Sequence, residues 1–126
     1  LGRIGDERAC DTLVDFLGGG DVELEKVTLR ALGAIGDQET TQAVANRLDA
    51  DDAEIRSTAA RSLGMLGDTR AVDPLSDVLH DDEADEVRAS AAWALNQIGT
   101  ERALDVVSDY ADDRAYIVQS EAEKAV

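Results

Sequence analysis

Apolar residues recur along this chain at helical spacing, interrupted at a regular interval by glycine followed by a capping residue. Between 69 and 79 they stand at Ala71, Val72, Leu75, Val78 and Leu79, which draws one apolar stripe on a helix. The polar run His80-Asp81-Asp82-Glu83 follows, and a second stripe passes through Val87, Ala91, Ala94, Leu95 and Ile98 to Gly99. Glycine there ends a helix in the left-handed conformation that other residues resist, and the residue after it caps the next helix. The pattern predicts helices near 7–17, 22–35, 38–49, 52–66, 70–80, 84–98, 101–112 and 115–126, and it contains no strand signal. The expected fold class is all-α: an α-α superhelix, a right-handed solenoid of helical hairpins.

The interruption is itself a repeated phrase. It reads Leu1-Gly2-Arg3-Ile4-Gly5-Asp6, Leu32-Gly33-Ala34-Ile35-Gly36-Asp37, Leu63-Gly64-Met65-Leu66-Gly67-Asp68 and, altered, Leu95-Asn96-Gln97-Ile98-Gly99-Thr100. Its leucines are spaced 31, 31 and 32 residues apart, a period that marks stacked repeats contacting only their neighbours. One domain over 1–126 is expected, with repeats near 1–31, 32–62, 63–94 and 95–126. The register names a core. Eight residues after each leucine stand Ala9, Thr40, Ala71 and Ala103; twelve after, Leu13, Val44, Leu75 and Val107; sixteen after, Leu17, Leu48, Leu79 and Ala111. Eight before stand Leu24, Ile55, Val87 and, projected onward, Val118. Four before stand the small residues Thr28, Ala59, Ala91 and Ala122, which let neighbouring helices approach closely. With only four aromatics in the chain, no cofactor-sized cavity and no cofactor are expected.

Charge changes the picture next. Against 12 basic residues stand 28 acidic ones, a formal net charge of −16, with aspartate favoured over glutamate and arginine over lysine. At about 1 M salt the Debye length is roughly 3 Å, so self-repulsion of such a surface is screened. The profile is similar to that of halophilic archaeal proteins. A chain this acidic is a poor match for nucleic acid, whose phosphates need clustered basic charge. The single Cys10 excludes an internal disulfide and a cysteine-built metal site, and is expected to act as a small apolar side chain. No apolar run approaches the roughly 20 residues that span a membrane, so no membrane partner is expected and a cytoplasmic location is the default. Leu1 lies inside a repeat phrase, so the sequence reads as a fragment of a longer array, whose apolar ends could pair with another copy.

Val87-Arg88-Ala89-Ser90-Ala91-Ala92-Trp93-Ala94-Leu95 closely resembles the second helix of a HEAT-like repeat, and Ile55-Arg56-Ser57-Thr58-Ala59-Ala60-Arg61-Ser62-Leu63-Gly64 matches as well. Arg70-Ala71-Val72-Asp73-Pro74-Leu75 resembles the first helix, with the proline that bends it. The short period and the Leu-Gly-x-Ile-Gly-Asp turn are similar to the subclass first described in phycobilisome lyases. The resemblance covers the whole chain, with departures at Glu25, where the family carries arginine, at Asn96 and Thr100 in the last turn, and at Glu123 on an alanine position. It implies that Arg56 and Arg88 brace adjacent repeats through acidic partners.

Catalytic readings find little support in the residues. The lyase relatives handle bilins, which keeps a phycobilin lyase-like or other tetrapyrrole-handling role as the alternative function, yet no bilin site is identifiable. The di-iron relative deoxyhypusine hydroxylase needs several His and Glu ligands, and His80 is the only histidine. No Gly-x-Ser-x-Gly occurs, Cys10 has no histidine in its own repeat, and Asp81-Asp82-Glu83 and Asp51-Asp52 lack calcium-loop spacing. No catalytic residue and no metal ligand are assigned.

A non-catalytic protein-interaction scaffold is the favoured function. The resemblance implies that the second helix of each hairpin lines the concave face, so equivalent residues stack as ladders roughly 10 Å apart. Two residues before each phrase leucine the ladder reads Arg30, Arg61, Trp93 and, projected, Lys124, off the apolar stripe and facing outward. Lys26, one turn from Arg30, extends it, and Glu23, Glu54 and Glu86 flank it. Arginine and tryptophan are the residues most enriched at binding hot spots. The expected partner is another protein, contacted through Lys26, Arg30, Arg61, Trp93 and Lys124; ordinary surface ion pairing of the arginines is the alternative.

Overall fold

Each second helix ends at a glycine that the phrase supplies. The computed structural model describes residues 2–111, with side chains from Arg8 onward. Its helices are α1 (Gly2–Val14), α2 (Val22–Ile35), α3 (Thr41–Ala45), α4 (Ala53–Leu66), α5 (Val72–Asp81), α6 (Asp85–Ile98) and α7 over 101–111. Asp21 opens α2 by accepting from the Leu24 N–H at 3.1 Å, and Asp52 opens α4 by accepting from the Glu54 N–H at 2.8 Å. Gly36, Gly67 and Gly99 close α2, α4 and α6 at φ 80°, 68° and 70°, each donating its N–H to the phrase leucine of its helix. Asp37 and Asp68 then cap the following turns, and Thr100 takes the same part for α7, accepting from the Ala103 N–H at 3.2 Å. The altered fourth phrase is therefore a complete turn.

The helices form two layers, and α4 is the central element. It packs against α2 on one side and α6 on the other, while α3 and α5 cover it and α6 from the second layer. Leu29, Leu32, Leu63, Leu75, Leu79 and Leu95 are wholly buried, each contributing roughly 1.5–3 kcal/mol relative to an exposed position. Thr28, Ala59 and Ala91 are buried, and Cys10 is buried among the apolar residues. Among the described residues there is no strand, and the chain is an all-α helical-repeat solenoid.

Four expectations need correction. The helix predicted over 38–49 is divided into a 3-10 turn (Gln38–Thr40), the short α3 and a second 3-10 turn (Asn46–Asp49). Its start is the 3-10 turn that also opens the next hairpin over Thr69–Ala71: the Thr40 N–H donates to the Asp37 carbonyl at 3.0 Å as the Ala71 N–H does to that of Asp68, and Thr40 Oγ1 adds a bond to the Asp37 carbonyl at 2.7 Å. The helix predicted over 70–80 likewise opens as a 3-10 turn (Thr69–Ala71) and becomes α-helical only at Val72, two residues before Pro74. Residues 2–6 of the first copy of the phrase lie inside α1, where its glycines end no helix among the described residues. Finally, Ala9 and Leu24 are exposed, whereas their equivalents Thr40, Ala71, Ile55 and Val87 are buried. No hairpin precedes α1 and α2 among the described residues, so the faces that later repeats bury here meet none. Ala111, the last described residue, is also exposed.

Candidate functional site

Positions two residues before a buried leucine lie about 200° around the helix from it, so burial of Leu32, Leu63 and Leu95 drives Arg30, Arg61 and Trp93 outward. The structure brings them to one groove of about 460 Å³ across α2, α4 and α6. Arg30 and Arg61 are exposed, and Trp93 is half-buried. The Arg61 guanidinium carbon stands 5.5 Å from the centroid of the Trp93 ring, within cation–π range. Gly64 makes room for this ring. A β-carbon there would lie 2.7 Å from the Ala94 α-carbon and 2.8 Å from Trp93 Cζ3. Gly33 holds α2 against α4 in the same way, with Ser62 Cα at 3.1 Å from such a carbon.

The other ladder candidates are placed differently. Lys26 lines the groove but is committed: its ammonium bonds Glu23 and Glu54, each at 3.2 Å. Those hydrogen bonds hold it above the ordinary lysine range, so Lys26 ties α2 to α4 rather than adding a free cation. Lys124 lies outside the described residues. Arg30 makes no ion pair among the described residues, and neither does Arg61. Glu86 also lines the groove.

Sequence reasoning missed Met65 in the groove and the packing role of Gly33 and Gly64. Met65 follows the phrase leucine by two, at a position that is alanine and glutamine in the adjacent copies, so periodicity gave it no signal. The glycines did carry one, since a glycine within a helix at a fixed period marks a close approach.

A second charged row sits at the hairpin turns. Arg56 donates to both carboxylate oxygens of Asp82, at 2.9 and 3.3 Å, and to the Ala50 and Asp51 carbonyls, at 2.9 Å each. Burial alone would push the Asp82 carboxyl up; the bonds from Arg56 and the Ala84 N–H outweigh it and hold it below the usual range. Arg88 bonds the Asp82 carbonyl and the Asp85 carboxylate. At the departure, Glu25 is buried and accepts from Arg47 and from the Gly18 N–H, so the same position clasps its turn and the next repeat with reversed charge. Elsewhere the Arg70 guanidinium brings Asp68 down to about 2.

No group of three or more His, Cys, Asp or Glu side chains among the described residues is placed to hold a metal ion. His80 bonds the Ser76 carbonyl at 2.8 Å through Nδ1 and meets Tyr110 edge-on at 6.0 Å. No described helix is long and apolar enough to cross a membrane.

Stacked hairpins with an open groove along their second helices define a helical-repeat solenoid. The family model for HEAT repeats matches residues 11–96 and again 47–126, and the chain belongs to the HEAT-repeat family. No curated protein sequence matches it significantly.

Proposed function

We propose that the chain is a non-catalytic protein-interaction scaffold that receives a partner protein in the groove across α2, α4 and α6. HEAT repeats commonly serve as protein–protein scaffolds. The observation that carries the reading is the meeting of Arg30, Arg61 and Trp93 in one groove, on an otherwise strongly acidic chain. Tryptophan and arginine supply a disproportionate share of interface energy. Capture of partner proteins from the native host, at native salt, tests it. Trp93→Ala and Arg61→Glu are expected to lose proteins that the parent retains, with helicity by circular dichroism unchanged; equal capture by all three overturns the groove as the contact surface.

The finer assignment is to the phycobilisome-lyase HEAT-like subclass, supported by the period and the Leu-Gly-x-Ile-Gly-Asp turn, with repeats near 1–31, 32–62, 63–94 and 95–126. As a scaffold it handles no tetrapyrrole, so heme or bilin is expected to leave Trp93 emission unchanged. The charge of −16 and the scarcity of lysine favour a halophilic archaeal source and a cytoplasmic setting. Dialysis from molar to millimolar salt should then lower the melting temperature by removing screening; melts that stay fixed across that range contradict a halophilic origin.

A further inference from the structure

The groove's own chemistry narrows what can lie in it, taking the scaffold reading above as its basis. Its hydroxyls are already committed within the fold. Ser57 and Ser90 bond each other at 2.6 Å, Thr58 Oγ1 donates to the Glu54 carbonyl at 2.8 Å, and Ser62 Oγ donates to the Leu29 carbonyl at 2.6 Å. Lys26 is likewise committed to Glu23 and Glu54. What the groove still offers a ligand is two guanidiniums without carboxylate partners among the described residues, the exposed Glu86 carboxylate at its edge on α6, and an apolar surface made by Met65, 49% exposed, and Trp93. Each guanidinium presents a fork of donors matched to a carboxylate, so the complementary ligand carries separated negative charges.

Spacing gives the ligand its form. Arg30 and Arg61 occupy equivalent positions on adjacent packed helices, whose axes lie about 8–10 Å apart. A polyproline II segment rises about 3.1 Å per residue with three residues per turn, which puts side chains i and i+3 on one face about 9 Å apart. Glu54 and Glu86 also line the groove and would repel a continuous polyanion, which in any case binds through many phosphate contacts rather than two. We propose that the groove binds an extended segment of a partner protein bearing acidic residues at i and i+3. One carboxylate pairs with Arg30 and the other with Arg61, and an apolar side chain of the segment rests on Met65 and Trp93.

The test is a peptide array in which two glutamates are moved apart one residue at a time in a proline-rich background carrying one leucine, which keeps the peptides extended, with matched glutamine peptides and a single-stranded DNA oligonucleotide as controls. Binding to the intact chain is followed by emission of Trp93, the only tryptophan. The expected result is a maximum at the i, i+3 spacing, about tenfold or more above the glutamine peptide, and a comparable loss in Arg30→Gln and in Arg61→Gln. Equal binding of the glutamine series, no glutamate peptide above its control, or tighter binding of the oligonucleotide overturns the acidic pair. Partner capture separates this from failure of the scaffold reading. Capture lost in Trp93→Ala but kept in both arginine variants overturns the acidic pair alone, whereas capture kept in Trp93→Ala and in both arginine variants overturns both.

Discussion

Two charged rows run along the same three helices, five residues apart. Glu25, Arg56 and Arg88 form one row, and Arg30, Arg61 and Trp93 the other. Five residues turn a helix through about 140°, so one row meets the hairpin turns and the other meets the groove. Arg56 has four hydrogen bonds and a nearly buried aspartate; Arg61 has an aromatic ring and no carboxylate. Identical side chains thus do different work. In the first row Glu25 and Arg56 tie consecutive repeats together through Arg47 and Asp82, while Arg88 closes its own turn on Asp82 and Asp85; in the second, Arg30 and Arg61 make no ion pair among the described residues. The reversed pair of Glu25 with Arg47 sharpens the point, because a clasp needs complementary partners and not a particular sign.

Breaking the first row should cost most. Arg56→Ala leaves the Asp82 carboxylate, whose side chain is 7% exposed, without its guanidinium, and a loss of about 2–4 kcal/mol in urea unfolding is expected. A loss below about 0.5 kcal/mol would remove the distinction between the rows. Gly64→Val tests the packing that sets the second row. Its side chain would meet the backbone of Ala94 and the Trp93 ring, with an expected cost of about 1–3 kcal/mol and a shift in tryptophan emission.

Asp68 offers a test by pH. Its folded pKa of about 2 lies below the unfolded value of about 3.9, so its contribution to stability is present above pH ~4 and is lost as pH falls toward 2. The melting temperatures of the parent and of Asp68→Asn should converge over that window; a constant gap would show that the bond to Arg70 is not the cause. Arg61→Gln should have the smallest effect on stability, within about 1 kcal/mol, since an exposed arginine without an ion pair gives up only its contact with the Trp93 ring. A larger loss would move Arg61 into the structural row.

Much of this was legible in the linear pattern. The glycine stops at Gly36, Gly67 and Gly99 and the buried leucines before them follow from local rules: helix period, left-handed glycine, and an oxygen placed to cap free N–H groups. The ladder of Arg30, Arg61 and Trp93 was legible too, because a fixed period converts sequence spacing into spatial stacking. Other features were not. Leu24 has the residue type and register of a core position, yet it is exposed because burial depends on a neighbouring hairpin as well as on the helix that carries it. Lys26 resembled one more cation of the ladder until the fold brought Glu54, 28 residues away, to its ammonium.

By itself, then, the sequence determined the repeat, its punctuation and the face on which each residue lies, since these depend on interactions within one helical turn or one period. Tertiary structure alone decided which charges are used and which are left over. Whether Arg56 is a brace, Lys26 a tie between helices or Arg61 without an ion pair depends on which carboxylates other repeats bring within about 4 Å, and pairing between repeats comes only from the packing of separate helices.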